Sequence, residues 1–216
     1  MTGSMFEGRP VPSDARPWAI IPAKSLARGK SRLRPVLADD ERSRFARGLF
    51  EHVLDVASAC NLGGILVATD GDDVVDLALA RGAHVLRDSG VEPLALVIDR
   101  ALAEVALHGA QAALVLMADL PWVQPGDLLS VLAALDEHDI ALVRDHLGRH
   151  TNALAITPPT AIATCFGHKD SFAAHCAAAL DAGLRLAIIE NERIAFDVDG
   201  PEDHVHFTTP RPAAET

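Results

Sequence analysis

Ala112-Ala113-Leu114-Val115-Leu116-Met117-Ala118-Asp119-Leu120-Pro121 is the most apolar run of the chain, and it closes on an acid and a proline. A strand covered on both faces reads as an unbroken apolar run rather than an alternating one. Residues 112–117 therefore predict a central strand, stopped by Pro121 and leaving Asp119 just past its carboxyl end. A strand of that kind belongs to a sheet with helices on both sides.

The flanking sequence supplies those helices. Upstream, Trp18-Ala-Ile-Ile-Pro22 predicts a buried first strand. Phe45, Leu49, Val53, Val56 and Cys60 then recur at helical spacing within a helix over 39–60 whose first turn is acidic. Strands over 65–69 and 84–87 enclose a helix over 72–81 closed by Gly82, and Pro93 opens a helix to His108 stopped by Gly109. Downstream, a helix over 126–137 precedes strands over 140–144 and 151–156, joined by the polar loop 145–150. A helix over 171–182, capped by Ser171, precedes two last strands over 185–189 and 194–198. Alternation of this kind predicts an α/β fold, three layers deep, with a mostly parallel sheet and ligands gathered at the carboxyl ends of its strands.

The chain has 216 residues, 49% of them hydrophobic, which suits one domain over 17–207 between polar, disordered tails at 1–16 and 208–216. Cys60, Cys165 and Cys176 are too few and too scattered for a disulfide framework or a zinc site. No apolar leader or membrane-length segment is present, so the expected setting is the reducing cytoplasm, with no membrane partner. A formal charge of -11 argues against a nucleic-acid surface, because binding a phosphate backbone takes many Lys and Arg side chains. Any phosphate site must be local. Lys24, Arg28, Lys30, Arg32 and Arg34 supply one, in a stretch free of acids.

That stretch directly follows the first strand, where Lys can act as a point charge on a triphosphate and Arg as a two-pronged donor. It lacks the glycine frame of a P-loop, and a solvated basic loop accounts for its composition equally well. Asp119 is placed to ligate Mg²⁺, or to cap a turn. Asp197 and Asp199 fall on one face of an extended chain and with Asp119 could share a metal; Asp199 could equally cap a short helix opened by Pro201. His204 and His206, and the pair His168 and His175, lack supporting ligands and are expected at surface or cap positions. No nucleophile elbow, Cys/His pattern or dinucleotide fingerprint occurs. Phosphate-on-phosphate chemistry needs none of these, because a phosphate monoester with a second pKa of about 6 is already ionised near neutrality.

Five ordered motifs carry a family resemblance: Pro22-x-Lys24 with Lys30-Ser-Arg-Leu33; Ala118-Asp-Leu-Pro121; Asp145 with Thr151-Asn-Ala-Leu154; Phe166-Gly167 with Ser171, Phe172 and His175; and Asp197-x-Asp199-x-Pro201-Glu-Asp203. From Trp18 to Phe207 the chain resembles the 2-phospho-L-lactate guanylyltransferases of deazaflavin coenzyme (F-420) biosynthesis. The resemblance implies a GT-A-like nucleotidyltransferase fold with Mg²⁺ as cofactor and GTP as co-substrate. It implies that Lys24, Lys30 and Arg32 bind nucleotide phosphates and, with Asp119, are catalytic. Asp119, Asp197 and Asp199 would bind the metal. Thr151, Asn152, Gly167 and Ser171 would bind the acceptor, which is phospholactate, phosphoenolpyruvate or 3-phosphoglycerate in different members. Monomer and homodimer both stay open.

Three positions depart from the family pattern. His150 replaces a glycine before the Thr-Asn pair, the 167–171 stretch is a residue longer, and Pro93-Leu94-Ala95 replaces Gly-Leu-Asn, removing an amide that could read base or ribose. A different phosphate or phosphonate acceptor is one rival reading, and a non-catalytic nucleotide-binding relative another. Lys24, Lys30, Arg32 and Asp119 together speak against the second, since a merely structural loop has no need of all four at strand ends.

Overall fold

The structure, a computed structural model, describes residues 15–209. Most of both expected tails lies outside that range; within it, Arg16 Nη1 donates to Asn61 Oδ1, and Thr208 ends the last helix. The elements run β1 (Trp18–Pro22), α1 (Asp39–Ser58), β2 (Gly64–Thr69), α2 (Asp72–Ala80), β3 (His84–Arg87), α3 (Leu94–Leu107) and β4 (Ala113–Leu116). They continue as α4 (Pro125–Ala133), β5 (Ile140–Arg144), β6 (Thr151–Ile156), α5 (Ser171–Asp181), β7 (Leu186–Ile188), α6 (Glu192–Ala195) and α7 (Pro201–Thr208).

Seven strands form one mixed sheet in the order β3-β2-β1-β4-β6-β5-β7, with β6 antiparallel to both of its neighbours and every other pairing parallel. Side chains alternate across a strand, so consecutive residues serve opposite layers. Ala19, Ile21, Val67, Leu114 and Leu116 pack with α1, α2 and α4 on one face. Trp18, Ile20, Leu66, Val115, Leu142 and Leu154 pack with α3 and α5 on the other. The three-layer α/β/α architecture follows, and the apolar run at 112–117 is the strand at its middle. Among the described residues no helix is long and apolar enough to cross a membrane.

The antiparallel strand matters for function. β1, β2 and β4 bring their carboxyl ends to one edge of the sheet, whereas β6 brings its first residues there: Leu116 pairs with Ala153, and Met117 N donates to Asn152 O at 3.0 Å. Thr151 and Asn152 thus reach the same edge as Asp119.

Three local expectations need correction. Residues 194–198 are not a strand. Asn191 Oδ1 accepts from the amides of Arg193 and Ile194, both at 3.0 Å, and that cap nucleates α6. β7 already occupies the free edge of β5, so the sheet offers no partner for another strand here. Ser171 is the first residue of α5 rather than its cap; Asp170 holds the cap position, and the Ser171 hydroxyl is used elsewhere. Pro93 is the cap residue of α3, not its first helical residue.

α6 is pinned from below. Asp127, buried in the first turn of α4, receives Arg193 Nε at 2.7 Å and Asn191 Nδ2 at 2.8 Å, and accepts from Gln124 N at 2.9 Å. Burial alone would raise its carboxyl, but the Arg193, Asn191 and Gln124 hydrogen bonds outweigh that and hold it below the ordinary range. This anchor directs the chain after Ala195 across the strand ends towards Asp119.

Candidate active site

The basic stretch after β1 is a built loop. Ser25 N donates to Asp70 Oδ1 at 3.0 Å and Leu26 N to Asp73 Oδ2 at 2.9 Å, while the Arg28 guanidinium pairs with Asp70. From the opposite side the buried Arg42 of α1 donates to the carbonyls of Gly29 and Ala27. Gly71 lets the loop close down, since a Cβ there would lie 2.6 Å from Ser25 Cα. The loop turns at Lys30, the one non-glycine residue with positive φ among those described (φ 51°), before a short 3₁₀ turn at Ser31–Leu33. A left-handed backbone is uncommon for a side chain of that kind, and such strain concentrates at functional positions.

The turn aims the Lys30 ammonium into a cluster of acids. Lys30 Nζ contacts Asp119 and lies 3.3 Å from Asp199 Oδ1, and Arg32 Nη1 lies 3.2 Å from Asp199 Oδ2. Burial would lower the Lys30 pKa, yet Asp119 and Asp199 together outweigh it and raise the ammonium above its ordinary value. Asp119, Asp197 and Asp199 bring one carboxylate oxygen each within 4.8 Å of one another. Burial, then the charges of Asp119 and Asp199, push the Asp197 carboxyl up to about 6, against the opposing effects of Asn152 and Lys30. The set therefore carries more negative charge than its environment relieves. Three clustered carboxylates with an all-oxygen donor set suit a hard dication such as Mg²⁺.

Asp119 and Asp199 of this cluster line a cavity of about 560 Å³, a size usual for small-molecule sites. Lys24, Arg28, Lys30 and Arg32 line it with Asp119 and Asp199; Phe50, Leu94 and Val97 add apolar surface, and Asp70, Asp88 and Glu92 further acids. Lys24 is exposed and makes no ion pair among the described residues. The cationic loop and the acids thus face one another across the same sheet edge, as the sequence reading required.

None of the four expected acceptor residues lines that cavity, and Gly167 comes nearest to it. Gly167 has φ +84°, and a Cβ built on it would sit 3.4 Å from Leu94 Cβ, a cavity-lining residue. Thr151 and Ser171 are buried together, with Thr151 N donating to Ser171 Oγ at 3.2 Å. Asn152 is committed to the backbone path: its Nδ2 donates to Ile194 O, Ala195 O and Asp197 Oδ1 at 2.9, 3.1 and 3.1 Å, which fixes the segment carrying Asp197. His150 folds back onto its own loop, with Nδ1 3.1 Å from Asp145 Oδ2 and its amide donating to Asp145 Oδ1 at 2.9 Å.

Sequence reasoning missed several supports. Asp70 and Asp73 follow β2 as Asp119 follows β4, so their position at a strand end was an available signal. His146, with Nδ1 3.5 Å from Asp197 Oδ1 and Nε2 3.4 Å from Asp203 Oδ1, had none. His175, expected at the surface or a cap, is instead fully buried. Its ring packs edge-on against Phe166, with centroids 4.7 Å apart, because α5 turns that face inward.

The family model for "Guanylyl transferase CofC like" proteins matches residues 18–208, which is nearly every described residue. The chain belongs to this family. It is 38% identical over 189 residues to a phosphoenolpyruvate guanylyltransferase of Sphaerobacter thermophilus, covering 86% of this chain and 89% of that one. It is 32% identical over 193 residues to a 2-phospho-L-lactate guanylyltransferase of Methanoregula boonei, covering 89% and 82% respectively. Among solved structures, a candidate nucleotide-diphospho-sugar transferase of Desulfovibrio desulfuricans G20 superposes with a TM-score of 0.76 at 16% identity, covering 93% of this chain and 90% of that one, a likeness of fold alone. These sequence relatives differ in the acid they are named for.

Proposed function

We propose that this family member transfers GMP from GTP to the phosphate of a three-carbon phospho-acid, releasing pyrophosphate, as a cytoplasmic step of coenzyme F-420 biosynthesis. Phosphoenolpyruvate, 3-phosphoglycerate and 2-phospho-L-lactate are the candidate acids. The observation that carries this reading is Lys30, whose ammonium joins the cationic loop to Asp119 and Asp199 at the mouth of the cavity.

In this reading Lys24, Lys30 and Arg32 hold the triphosphate, and Asp119, Asp197 and Asp199 would hold Mg²⁺. Bound there, the cation supplies charge stabilisation to the phosphoryl oxygens. A phosphate oxygen of the acid forms a bond to the α-phosphorus of GTP. The bond from that phosphorus to the oxygen bridging to the β-phosphate breaks, and pyrophosphate leaves with the electron pair. The acid's phosphate is ionised near neutrality, so no side chain must remove a proton. What the residues contribute is alignment and fixed positive charge against the negative charge that develops. Thr151, Gly167 and Ser171 position the acid opposite the leaving group.

The test is a matrix of four nucleoside triphosphates against the three acids with Mg²⁺, read by product mass and pyrophosphate release. The expected result is a GMP adduct of one acid in excess over all other combinations. Absence of any adduct across the matrix would remove the proposal.

A further inference from the structure

The imidazole of His175 has both nitrogens engaged. Cys165 N lies 2.8 Å from Nε2, and an amide can only donate, so Nε2 accepts and carries no hydrogen. On a neutral ring the proton then sits on Nδ1, which faces Thr151 Oγ1 at 2.9 Å. Burial keeps the ring neutral, pushing its pKa down to about 4 against a smaller opposing effect of the Ser171 backbone. Thr151 Oγ1 is therefore an acceptor in this contact, and its own hydrogen remains unspent. Ser171 Oγ is in the same state, since it accepts from Thr151 N. Both hydroxyls are buried, and neither donates to an acceptor among the described residues. A pair of hydroxyls that each accept one bond and keep the hydrogen free can donate to an anion. Cys165 also stands two residues before Gly167, so the same ring contacts both Thr151 and the segment leading to Gly167.

We infer that His175 is a positioning residue: through Nδ1 it fixes the Thr151 hydroxyl as a donor to the acceptor acid, and through Nε2 it fixes the loop carrying Gly167. The inference rests on the reading that Thr151, Gly167 and Ser171 hold the phospho-acid. Both ring nitrogens being occupied, His175 serves neither as a metal ligand nor as a general base.

Thr151→Val, His175→Gln and the double variant form a thermodynamic cycle, with His175→Asn as a separate arm. Gln places an acceptor near the position of Nε2 and drops the donor to Thr151; Asn keeps a donor near Nδ1. KM is measured for GTP and for whichever of phosphoenolpyruvate, 3-phosphoglycerate and 2-phospho-L-lactate the wild type turns over fastest. A lost hydrogen bond to a charged group corresponds to roughly a tenfold rise or more in KM for the acid, and both single variants are expected to show it with KM for GTP within about twofold of wild type. The double variant is expected to match Thr151→Val alone, because residues acting through one contact are not additive. His175→Asn leaves Cys165 N without its acceptor and is expected to raise KM for the acid severalfold with KM for GTP within about twofold of wild type. An unchanged acid KM in Thr151→Val would remove the acid-site reading itself. A Thr151→Val effect that His175→Gln multiplies in full would remove the role given to His175 and leave that reading standing. Should His175→Gln give no folded protein, an unchanged acid KM in a folded His175→Asn overturns the inference, and a severalfold rise with KM for GTP unchanged upholds it.

Discussion

An ammonium wedged between two carboxylates occupies the position that a dication would otherwise neutralise. Lys30 is held there by a left-handed turn and by its contacts with Asp119 and Asp199. Lys30→Gln leaves the three clustered acids with only the exposed Arg32 guanidinium beside Asp199, so the metal-free protein is expected to melt at a lower temperature and to gain more from Mg²⁺ than the wild type does. Its kcat/KM is expected to fall about a hundredfold or more, the usual consequence of removing a fixed positive group from a site of charge development. Melting curves with and without Mg²⁺ check the first part; an unchanged metal-free Tm would count against the electrostatic account. His175 sets a pH dependence. Its pKa is 6.5 when unfolded and about 4 when folded, so between those values the unfolded chain binds a proton that the native ring refuses. Stability from this residue is complete above about 6.5 and is lost as pH falls towards 4, by roughly 3 kcal/mol in all. Asp197 acts in the opposite sense, since its raised carboxyl favours the folded state at acid pH and that contribution fades as pH rises from 3.8 to about 6. The difference between wild type and His175→Gln in chemical denaturation from pH 4.5 to 7 isolates the histidine, and a pH-independent difference would refute its assignment as buried and neutral.

At the scale of elements, α7 is a clasp on the acidic cluster. Asp203 Oδ2 accepts from Asp199 N at 3.0 Å and Gly200 N at 2.8 Å, which closes the first turn and fixes the backbone of a proposed metal ligand. Phe207 and His204 then pack on Phe45 of α1. Asp203→Ala removes a helix cap worth about 1 kcal/mol, expected to lower Tm by about 2–4 °C. It should also weaken Mg²⁺ binding severalfold, as read by calorimetric titration; intact affinity alongside a lowered Tm would reduce α7 to a structural role. The elements also show where sequence reasoning stops. β1, α1, β3 and β6 were legible because apolar periodicity and strong breakers agree at their ends. Residues 194–198 alternate like a strand, but whether an alternating run becomes one depends on a free sheet edge, and β7 had taken it. Ser171 looks like a cap by residue type, yet its hydroxyl was claimed by Thr151, a partner twenty positions away.

For the whole molecule, motif order was the legible part: residues from 22 to 203 converge on one edge because parallel crossovers return each strand end to the same side. Lys30 and Asp119 could be assigned together from that rule, whereas grouping Asp199 with them rests on a strand over 194–198 that is not formed. The contacts of His146 and Arg42 could not be assigned, since they act through distances that no spacing in the chain encodes. The cluster of Asp119, Asp197 and Asp199 draws its members from the middle and the far end of the polypeptide. A chain still emerging from the ribosome has its cationic loop and first carboxylate long before the other two are synthesised. A copy cut between residues 121 and 196 therefore keeps the basic loop and one carboxylate, and the three-acid cluster cannot assemble in it.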